Sequence, residues 1–170
     1  MTGAEVGKAY DDQVAAILEH PELGKWKYIL SVEDDNIVPH DAVLRLCESI
    51  ELGPFDAVGG LYFVKGEHPQ VQCYGDPAEF ARTGELDFRP RDIVEAIKGG
   101  FVVECNGVAM GCTLYRTQVF RDVPRPWFVT SPSGTQDLAF CGKARRMGKR
   151  FAVDTRVRVG HADLESGVIY

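Results

Sequence analysis

Residues 27–35 read KYILSVEDD, a short apolar run rich in β-forming residues that ends at three consecutive carboxylates. A nearly continuous apolar run of this length is typical of a strand covered on both faces in an α/β sheet. Open α/β sheets bind their ligands at the carboxyl ends of their strands, where Glu33, Asp34 and Asp35 fall. This stretch therefore predicts an α/β fold and also indicates where its functional site lies.

Apolar residues at helical spacing occur on both sides of this strand. They predict a helix over about 12–20, a second helix of about ten residues that includes Val43 and Ile50 and ends before Gly53, and a third over about 137–147. Together with the strand, these helices favour a mixed sheet flanked by helices.

Further apolar stretches are typical of strands, and they lie at 56–64, 101–105, 112–116, 151–153 and 157–159. Gly59-Gly60 inside the first of these predicts a bulge, or a close approach by a ligand or by backbone. The second and third are separated by a short glycine-containing link, so we expect them to pair antiparallel. The segment 75–89 is polar and has no usable period, which indicates a surface excursion.

Length and composition fit one globular domain over residues 1–170. The chain has 19 Lys and Arg against 25 Asp and Glu, a net charge of −6, so its overall field does not favour nucleic acid. It contains no apolar stretch of the roughly 20 residues that a membrane span needs, and its start lacks the profile of a signal peptide. Five widely spaced cysteines indicate neither a disulfide framework nor a zinc site. We expect a cytoplasmic protein without a membrane span.

The acidic end of the first strand is the strongest candidate for a metal site. Three adjacent carboxylates repel one another unless a cation lies between them, and oxygen ligands of this kind suit Mg²⁺ or Mn²⁺. On an extended backbone Glu33 and Asp35 point the same way, whereas Asp34 points elsewhere. A solvated turn whose aspartates cap the next helix explains the same residues without a metal.

Two other polar positions are candidates for chemistry. Gln136-Asp137 stands at the start of a helix, where a carboxylate either caps the helix or removes a proton from an incoming hydroxyl. His161 follows a glycine after a strand near the end of the chain and is either an ordinary histidine or the nitrogen ligand that the acidic cluster lacks.

The link 106–111 begins with Asn106, and its glycines at 107 and 111 allow backbone to approach a bulky ligand. It has neither the Lys-Ser/Thr of a phosphate-binding P-loop nor the spacing of a dinucleotide fingerprint. The link is therefore a candidate ligand contact without a motif of its own.

The order of these features resembles that of the GT-A type of nucleotide-sugar glycosyltransferases, particularly the family 2-like enzymes. The similar stretches are 28–39, 56–63, 106–112, 126–128, 135–141 and 159–161. The resemblance implies a GT-A-like, Rossmann-like fold that is shortened at its N-terminus, since only about 30 residues precede the acidic strand where the family has nucleotide-binding βα units.

The metal-binding part of that family is matched by three residues. Glu33 and Asp35 occupy the two acidic positions of its DxD motif, with Asp34 between them in the donor site, and His161 resembles its C-terminal metal-binding histidine. The resemblance implies a divalent ion, Mn²⁺ or Mg²⁺, held by Asp35 and His161, with Glu33 binding it directly or through water. Glu33 replaces the usual aspartate of the motif.

The remaining matches imply donor and acceptor contacts. Asn106, Gly107 and Gly111 lie in a stretch similar to the family's glycine-containing donor-sugar loop. Gln136-Asp137 looks like its xED motif, with Gln136 in place of the usual glutamate, and this implies that Asp137 is the general base. Trp127 is placed like an aromatic that lines the sugar or acceptor pocket, although an anchoring role in the core fits it equally well.

The function implied is inverting transfer of a sugar from a nucleoside-diphosphate sugar to a hydroxyl of a glycan, lipid or protein acceptor. The alternative is a non-catalytic nucleotide- or sugar-binding protein of the same fold. A metal-dependent phosphohydrolase is a weaker reading, because the sequence has no second acidic cluster of similar density. A shortened sheet exposes a strand edge, so we also expect a homo-oligomer.

Overall fold

The computed structural model describes residues 3–64, 69–130, 134–163 and 165–170. Its helices are α1 (Gly3–Glu19), α2 (Ala42–Leu52), α3 (Pro77–Thr83), α4 (Val94–Gly99), α5 (Thr117–Asp122) and α6 (Gln136–Arg146), and a 3-10 turn spans Leu23–Lys25. Its strands are β1 (Tyr28–Val32), β2 (Asn36–Ile37), β3 (Ala57–Leu61), β4 (Cys73–Tyr74), β5 (Val102–Cys105), β6 (Gly107–Val108), β7 (Cys112–Arg116), β8 (Phe151–Arg158) and β9 (Gly160–His161).

One mixed sheet forms the centre of the fold, with its strands in the order β1-β7-β3-β8-β5. Strands β3 and β8 are parallel, and the other neighbouring pairs are antiparallel. Two short ribbons, β2 with β9 and β4 with β6, lie outside this sheet. The mixed α/β sheet flanked by helices that the sequence predicts is therefore confirmed.

Both faces of the sheet are covered, which explains why its strands are rich in apolar residues. Along β3 and β8, Ala57 and Phe151 belong to one buried cluster, whereas the next residues, Val58 and Ala152, belong to another. Residues of α1, α5 and α6 complete the first cluster, and residues of α2 complete the second. Alternating side chains thus reach opposite faces of a buried strand, and each face needs an apolar residue.

The glycine pair of β3 marks a close approach, as the sequence predicts. A Cβ at Gly60 would lie 2.7 Å from a methyl of Val159, and one at Gly59 would lie 2.9 Å from the Thr113 hydroxyl. The pairing of β3 with β8 changes register directly after Gly60. Side chains at these positions would therefore push neighbouring strands apart.

The predicted antiparallel pairing of 101–105 with 112–116 is wrong. Strand β5 pairs with β8, and β7 lies between β1 and β3. The link between the two strands is held elsewhere, because the Asn106 N–H donates to the Tyr74 carbonyl and β6 pairs with β4. Because the link pairs with β4, it cannot form the tight turn of a hairpin between β5 and β7.

Three boundaries also differ from those predicted. The stretches 151–153 and 157–159 form one strand to Arg158, because the buried Asp154 between them is neutralised by Arg156 and accepts a hydrogen bond from Ser49. The polar segment 75–89 contains α3, whose first turn is capped by Asp76. The first helix begins well before residue 12.

Helix α1 is held against the sheet by Asp11, a buried carboxylate. One of its oxygens accepts the Trp127 N–H at 2.5 Å, and the other accepts two N–H groups of Arg125 at 2.9 and 2.7 Å. The Arg125–Pro126 peptide bond is cis. Asp11 therefore joins α1 to the segment that follows α5.

Replacing Asp11 by alanine is expected to lower the free energy of unfolding by about 2–4 kcal/mol, since the buried Trp127 N–H and the Arg125 guanidinium lose their acceptor. A urea titration measures this loss. The matched control is Asp12→Ala, which removes an exposed carboxylate 3.3 Å from the same arginine and is expected to leave the midpoint of the urea titration nearly unchanged. Equal losses from the two variants would contradict the anchoring role.

Candidate functional site

The site is built where β1 ends, because three chain segments meet there. The Glu33 N–H donates to the Gly111 carbonyl at 3.1 Å, and the Ala162 N–H donates to the Asp35 carbonyl at 2.8 Å. Residue Asn36 pairs with His161 across the β2 and β9 ribbon. The acidic strand end, the glycine link and the region around His161 are therefore fixed relative to one another by backbone hydrogen bonds.

The side chains of Asp35 and His161 approach each other in this site. The Nε2 of His161 lies 3.4 Å from a carboxylate oxygen of Asp35, and its Nδ1 lies 2.8 Å from the Phe63 carbonyl. A carbonyl only accepts, so Nδ1 carries the proton and donates it. In a neutral ring this leaves the lone pair of Nε2 facing Asp35, as in histidines that bind metals.

Glu33 is half-buried beside this pair, and its environment disfavours the ionised carboxylate. Burial raises the pKa of its carboxyl, and the negative charges of Asp137 and Asp35 raise it further. The hydroxyl of Tyr10, on α1, lies 3.5 Å from one of its oxygens. Burial of the Tyr10 hydroxyl and the negative charge of Glu33 raise the pKa of Tyr10 to about 12. Several anions thus converge on one region that holds few cations.

Glu33→Gln is expected to stabilise the unliganded protein at neutral pH, by at most about 1 kcal/mol after solvent screening. The folded-state pKa of Glu33 is raised, so its ionisation opposes folding at neutral pH. The gain in stability should shrink as the pH falls through the folded-state pKa of Glu33. It should be absent below the ordinary glutamate pKa of about 4.3, where the carboxyl is protonated in both the folded and the unfolded protein. Thermal unfolding of both proteins across pH measures it.

The control for this prediction is Glu85→Gln, which neutralises an exposed glutamate that makes no ion pair among the residues described. It should leave the melting temperature unchanged across the same pH range. A Glu33→Gln protein that is less stable than the parent at neutral pH would show that the carboxylate is favourably paired.

Asp137 lies in the first turn of α6, close enough for its negative charge to raise the pKa of Glu33. Burial raises the pKa of its carboxyl, although hydrogen bonds from the Thr135 hydroxyl and from backbone N–H groups, including those of Leu138 and Met110, act in the opposite direction. The Leu138 N–H lies 2.8 Å from its Oδ1. The contact with Met110 joins the helix start to the glycine link. Asp137 is thus a partly exposed carboxylate whose orientation is fixed by hydrogen bonds.

A groove of about 570 Å³ opens between α1 and the end of β1, within the size range of ligand pockets. Its walls are Val6, Ala9, Tyr10, Gln13, Val32, Glu33, Asp34 and Asp35. Asp137 and His161 are not part of these walls. Asp137 acts on the groove through Glu33, because its negative charge raises the pKa of that residue.

The donors present fit a divalent ion that completes its coordination with ligand oxygens. Within the described ranges, no three His, Cys, Asp or Glu side chains are arranged to hold a metal. Asp35 and His161 face each other closely enough to share one. Mg²⁺ typically binds one or two protein carboxylates and takes its other ligands from substrate phosphates and water. The residues fit an ion that arrives with a phosphate ligand.

The glycine link has two ends with different surroundings. At Gly111 a Cβ would lie 2.5 Å from the Asn36 amide oxygen and 2.6 Å from the Tyr62 hydroxyl, next to the acidic strand end. At Gly107 a Cβ would meet the Phe88 ring at 2.9 Å, and the Asn106 amide donates to the carbonyls of residues 76 and 87. Only the Gly111 end adjoins the site.

Three further candidates take different places. Asp34 is exposed at the rim of the groove. Gln136 accepts a hydrogen bond from the Thr130 hydroxyl at 3.4 Å. Trp127 is buried, packs on Phe120 with ring centroids 5.6 Å apart and donates its indole N–H to the Val123 carbonyl, so its surroundings favour the core role over a pocket role.

Tyr10, Tyr62 and Asn36 are site residues that the sequence analysis did not find. The Tyr62 hydroxyl accepts the Gly111 N–H at 2.8 Å, and burial raises its pKa well above the ordinary value. Both amide atoms of Asn36 are buried without a hydrogen-bond partner in the part of the chain that the structure describes. Of these three residues, only Tyr10 could have been found from the sequence. It lies four residues before Val14, so it continues the helical spacing of the apolar face of α1.

The comparisons with known proteins bear on the fold alone. No protein family matches the sequence, and no curated protein is similar to it. The structure is similar to the crystal structure of A197 from STIV, with a TM-score of 0.67 and 16% sequence identity over 96% of this chain and 74% of that one. At this identity the similarity shows a shared mixed α/β fold. No helix among the described residues is long and apolar enough to cross a membrane.

Proposed function

We propose that this protein is a metal-dependent glycosyltransferase that moves a sugar from a nucleoside-diphosphate sugar to an acceptor hydroxyl, with inversion at the anomeric carbon. The observation that carries the proposal is the approach of Asp35 to His161, at 3.4 Å, beside a groove of about 570 Å³. The order of motifs that resembles the GT-A fold supports it from the sequence, and the mixed α/β sheet is compatible with it.

The metal role falls to the pair at the strand end. Asp35 and His161 would hold Mn²⁺ or Mg²⁺, with Glu33 in reach directly or through water. When bound, a divalent ion stabilises the negative charge that develops on a departing diphosphate. The Phe63 carbonyl orients the His161 ring by accepting its Nδ1 proton, which keeps Nε2 available.

Asp137 would take the proton of the acceptor hydroxyl. A general base works best when its pKa lies closer to the working pH than that of an ordinary aspartate, and burial raises the pKa of Asp137 in this direction. The backbone N–H groups that bind its carboxylate hold it in one orientation. The negative charge of Asp137 in turn raises the pKa of the Glu33 carboxyl.

Gly111 and Tyr62 would shape the donor side of the site. The Tyr62 hydroxyl fixes the Gly111 N–H, and the glycine leaves no side chain between the link and the acidic strand end. Asp34, at the rim of the groove, is placed to contact the donor or its water shell. Asn106 and Gly107 support the link from its other end.

The test is a thermal-shift screen of nucleoside diphosphates and their sugars, each with and without Mn²⁺. A ligand at 100 times its dissociation constant should stabilise the protein by about 2.7 kcal/mol. We expect a shift only when a diphosphate and the metal are both present. The absence of a shift with every base would count against the proposal.

A second function, metal-dependent binding without catalysis, is favoured by one observation. The described residues supply only two close side-chain ligands rather than a complete cage. A donor that stabilises the protein with Mn²⁺ but is neither transferred nor hydrolysed would support this alternative. Release of nucleoside diphosphate in the presence of acceptor sugars would exclude it.

A further inference from the structure

Strand β1 lies at the end of the central sheet, and on its outer side it pairs with no strand among the described residues. Its hydrogen-bonding pattern follows from its two ends. The Lys27 carbonyl accepts the Thr117 N–H at 2.9 Å, and the Glu33 N–H donates to the Gly111 carbonyl at 3.1 Å. Both groups face the β7 side, so the odd-numbered residues between them face it as well.

The even-numbered residues therefore direct their backbone outward. Tyr28, Leu30 and Val32 each place an N–H and a C=O along the open edge, which makes six groups available to another strand. The side chains of Leu30 and Val32 are 37% and 48% exposed. An exposed edge with apolar side chains is a template for strand addition.

The charges along this edge have opposite signs at its two ends. Lys25 and Lys27 precede the strand, whereas Glu33 and the exposed Asp34 follow it. In an antiparallel pair of two copies, the acidic end of each β1 lies next to the basic end of the other β1. The edge is therefore complementary to a second copy of itself, and a parallel arrangement would set like charges side by side.

We propose that two copies of this chain associate through β1, antiparallel, with Leu30 opposite Leu30 of the second copy. In this register Tyr28 lies opposite Val32 of the second copy, so every outward N–H and C=O of the strand is paired. Three hydrogen-bonded pairs that exchange two bonds each use all six groups. Residues Leu30 and Val32 become covered, and the two central sheets form one continuous sheet.

Helix α1 lies beside β1 in each copy of this dimer. Ile17 and Gln13 line a small apolar cavity of about 140 Å³ between α1 and β1, together with Ile29. The two-fold axis is perpendicular to the sheet, so both copies of α1 lie on the same face and next to the paired strands. The register also places the basic start of each β1 beside the acidic groove of the other copy.

Sedimentation equilibrium of the full chain over a range of concentrations tests the proposal. The parent protein should dimerise, and Leu30→Pro should be monomeric with an unchanged circular dichroism spectrum, because the N–H it removes faces outward and proline is tolerated at such edge positions. Leu30→Lys should be monomeric as well, since it sets two like charges opposite each other. A parent protein that is monomeric throughout would overturn the proposal.

Crosslinking fixes the register. The Cα atoms of a hydrogen-bonded antiparallel pair are about 5.5 Å apart, within the range a disulfide spans. With oxidised glutathione as the oxidant, which is reduced as two thiols join, Leu30→Cys should form a covalent dimer. The exposed Leu44→Cys and the parent protein should not. Equal crosslinking at Leu44 would overturn the register, and because no nucleotide is involved, these results are independent of the proposed function.

Discussion

Replacing Asp137 by asparagine should lower the rate of sugar transfer by about 10²–10⁴-fold, the usual contribution of a general base. The amide has the same shape but accepts no proton. Its carbonyl oxygen can still accept the N–H groups of Leu138 and Met110, so α6 and the glycine link should keep their positions. Initial rates with saturating donor, together with the melting temperature, measure the two effects separately.

The pH profile gives this prediction a second readout. A general base must be ionised, and burial raises the pKa of Asp137. The rate of the parent protein should therefore fall on the acidic side at a pH above the ordinary aspartate range, and this limb should disappear in Asp137→Asn. Asp92→Asn is the matched control, because Asp92 also accepts a backbone N–H at a helix start, from Val94, but is exposed. An unchanged rate in Asp137→Asn would remove Asp137 from the mechanism.

Asp35→Asn and His161→Ala should each abolish the Mn²⁺-dependent part of donor binding. At 100 times the dissociation constant, the parent protein should gain about 2.7 kcal/mol from the ligand, and a variant whose affinity falls 100-fold should gain only about 0.4 kcal/mol. The physical reason is that the proposed ion would have just two close side-chain ligands in the described residues, so the loss of either would leave a single one.

His40→Ala is the control for this pair, since His40 is an exposed histidine near the same strand end in sequence. It should retain the full metal-dependent shift. If Asp35→Asn and His161→Ala also retained it, the ion would bind elsewhere, and the proposed function would lose its metal site. Thermal unfolding with the diphosphate, with and without Mn²⁺, measures every variant in one series.

The local sequence predicted those helices and strands whose boundaries are set by their own pattern of apolar and polar residues. The run that forms β1 is apolar and ends at charged residues, and the structure ends the strand at Val32. The helix that begins at Gln136 was predicted to within one residue, because a polar start and a regular apolar face both point to it. The glycine pair of β3 likewise indicated a close approach, since a missing side chain is itself a local signal.

Strand pairing could not be predicted in the same way. A short link between 101–105 and 112–116 favours a hairpin when only these residues are considered. The structure separates them because the link pairs with β4 and because β8 offers β5 a longer partner. Whether a strand pairs with the next strand in the sequence depends on which other strands can pair with the same edge. The sequences of the two strands do not contain this information.

The sequence by itself determined the position of the acidic strand end and of the helix that carries Asp137 in its first turn, because local periodicity and polarity encode both. Only the tertiary structure decided that Asp35 lies 3.4 Å from His161, that Tyr10 on α1 reaches Glu33, and that the outer edge of β1 pairs with no other described strand. Distances between residues far apart in the chain depend on how the strands are ordered in the sheet, and this order depends on competition among all the strands rather than on any one segment.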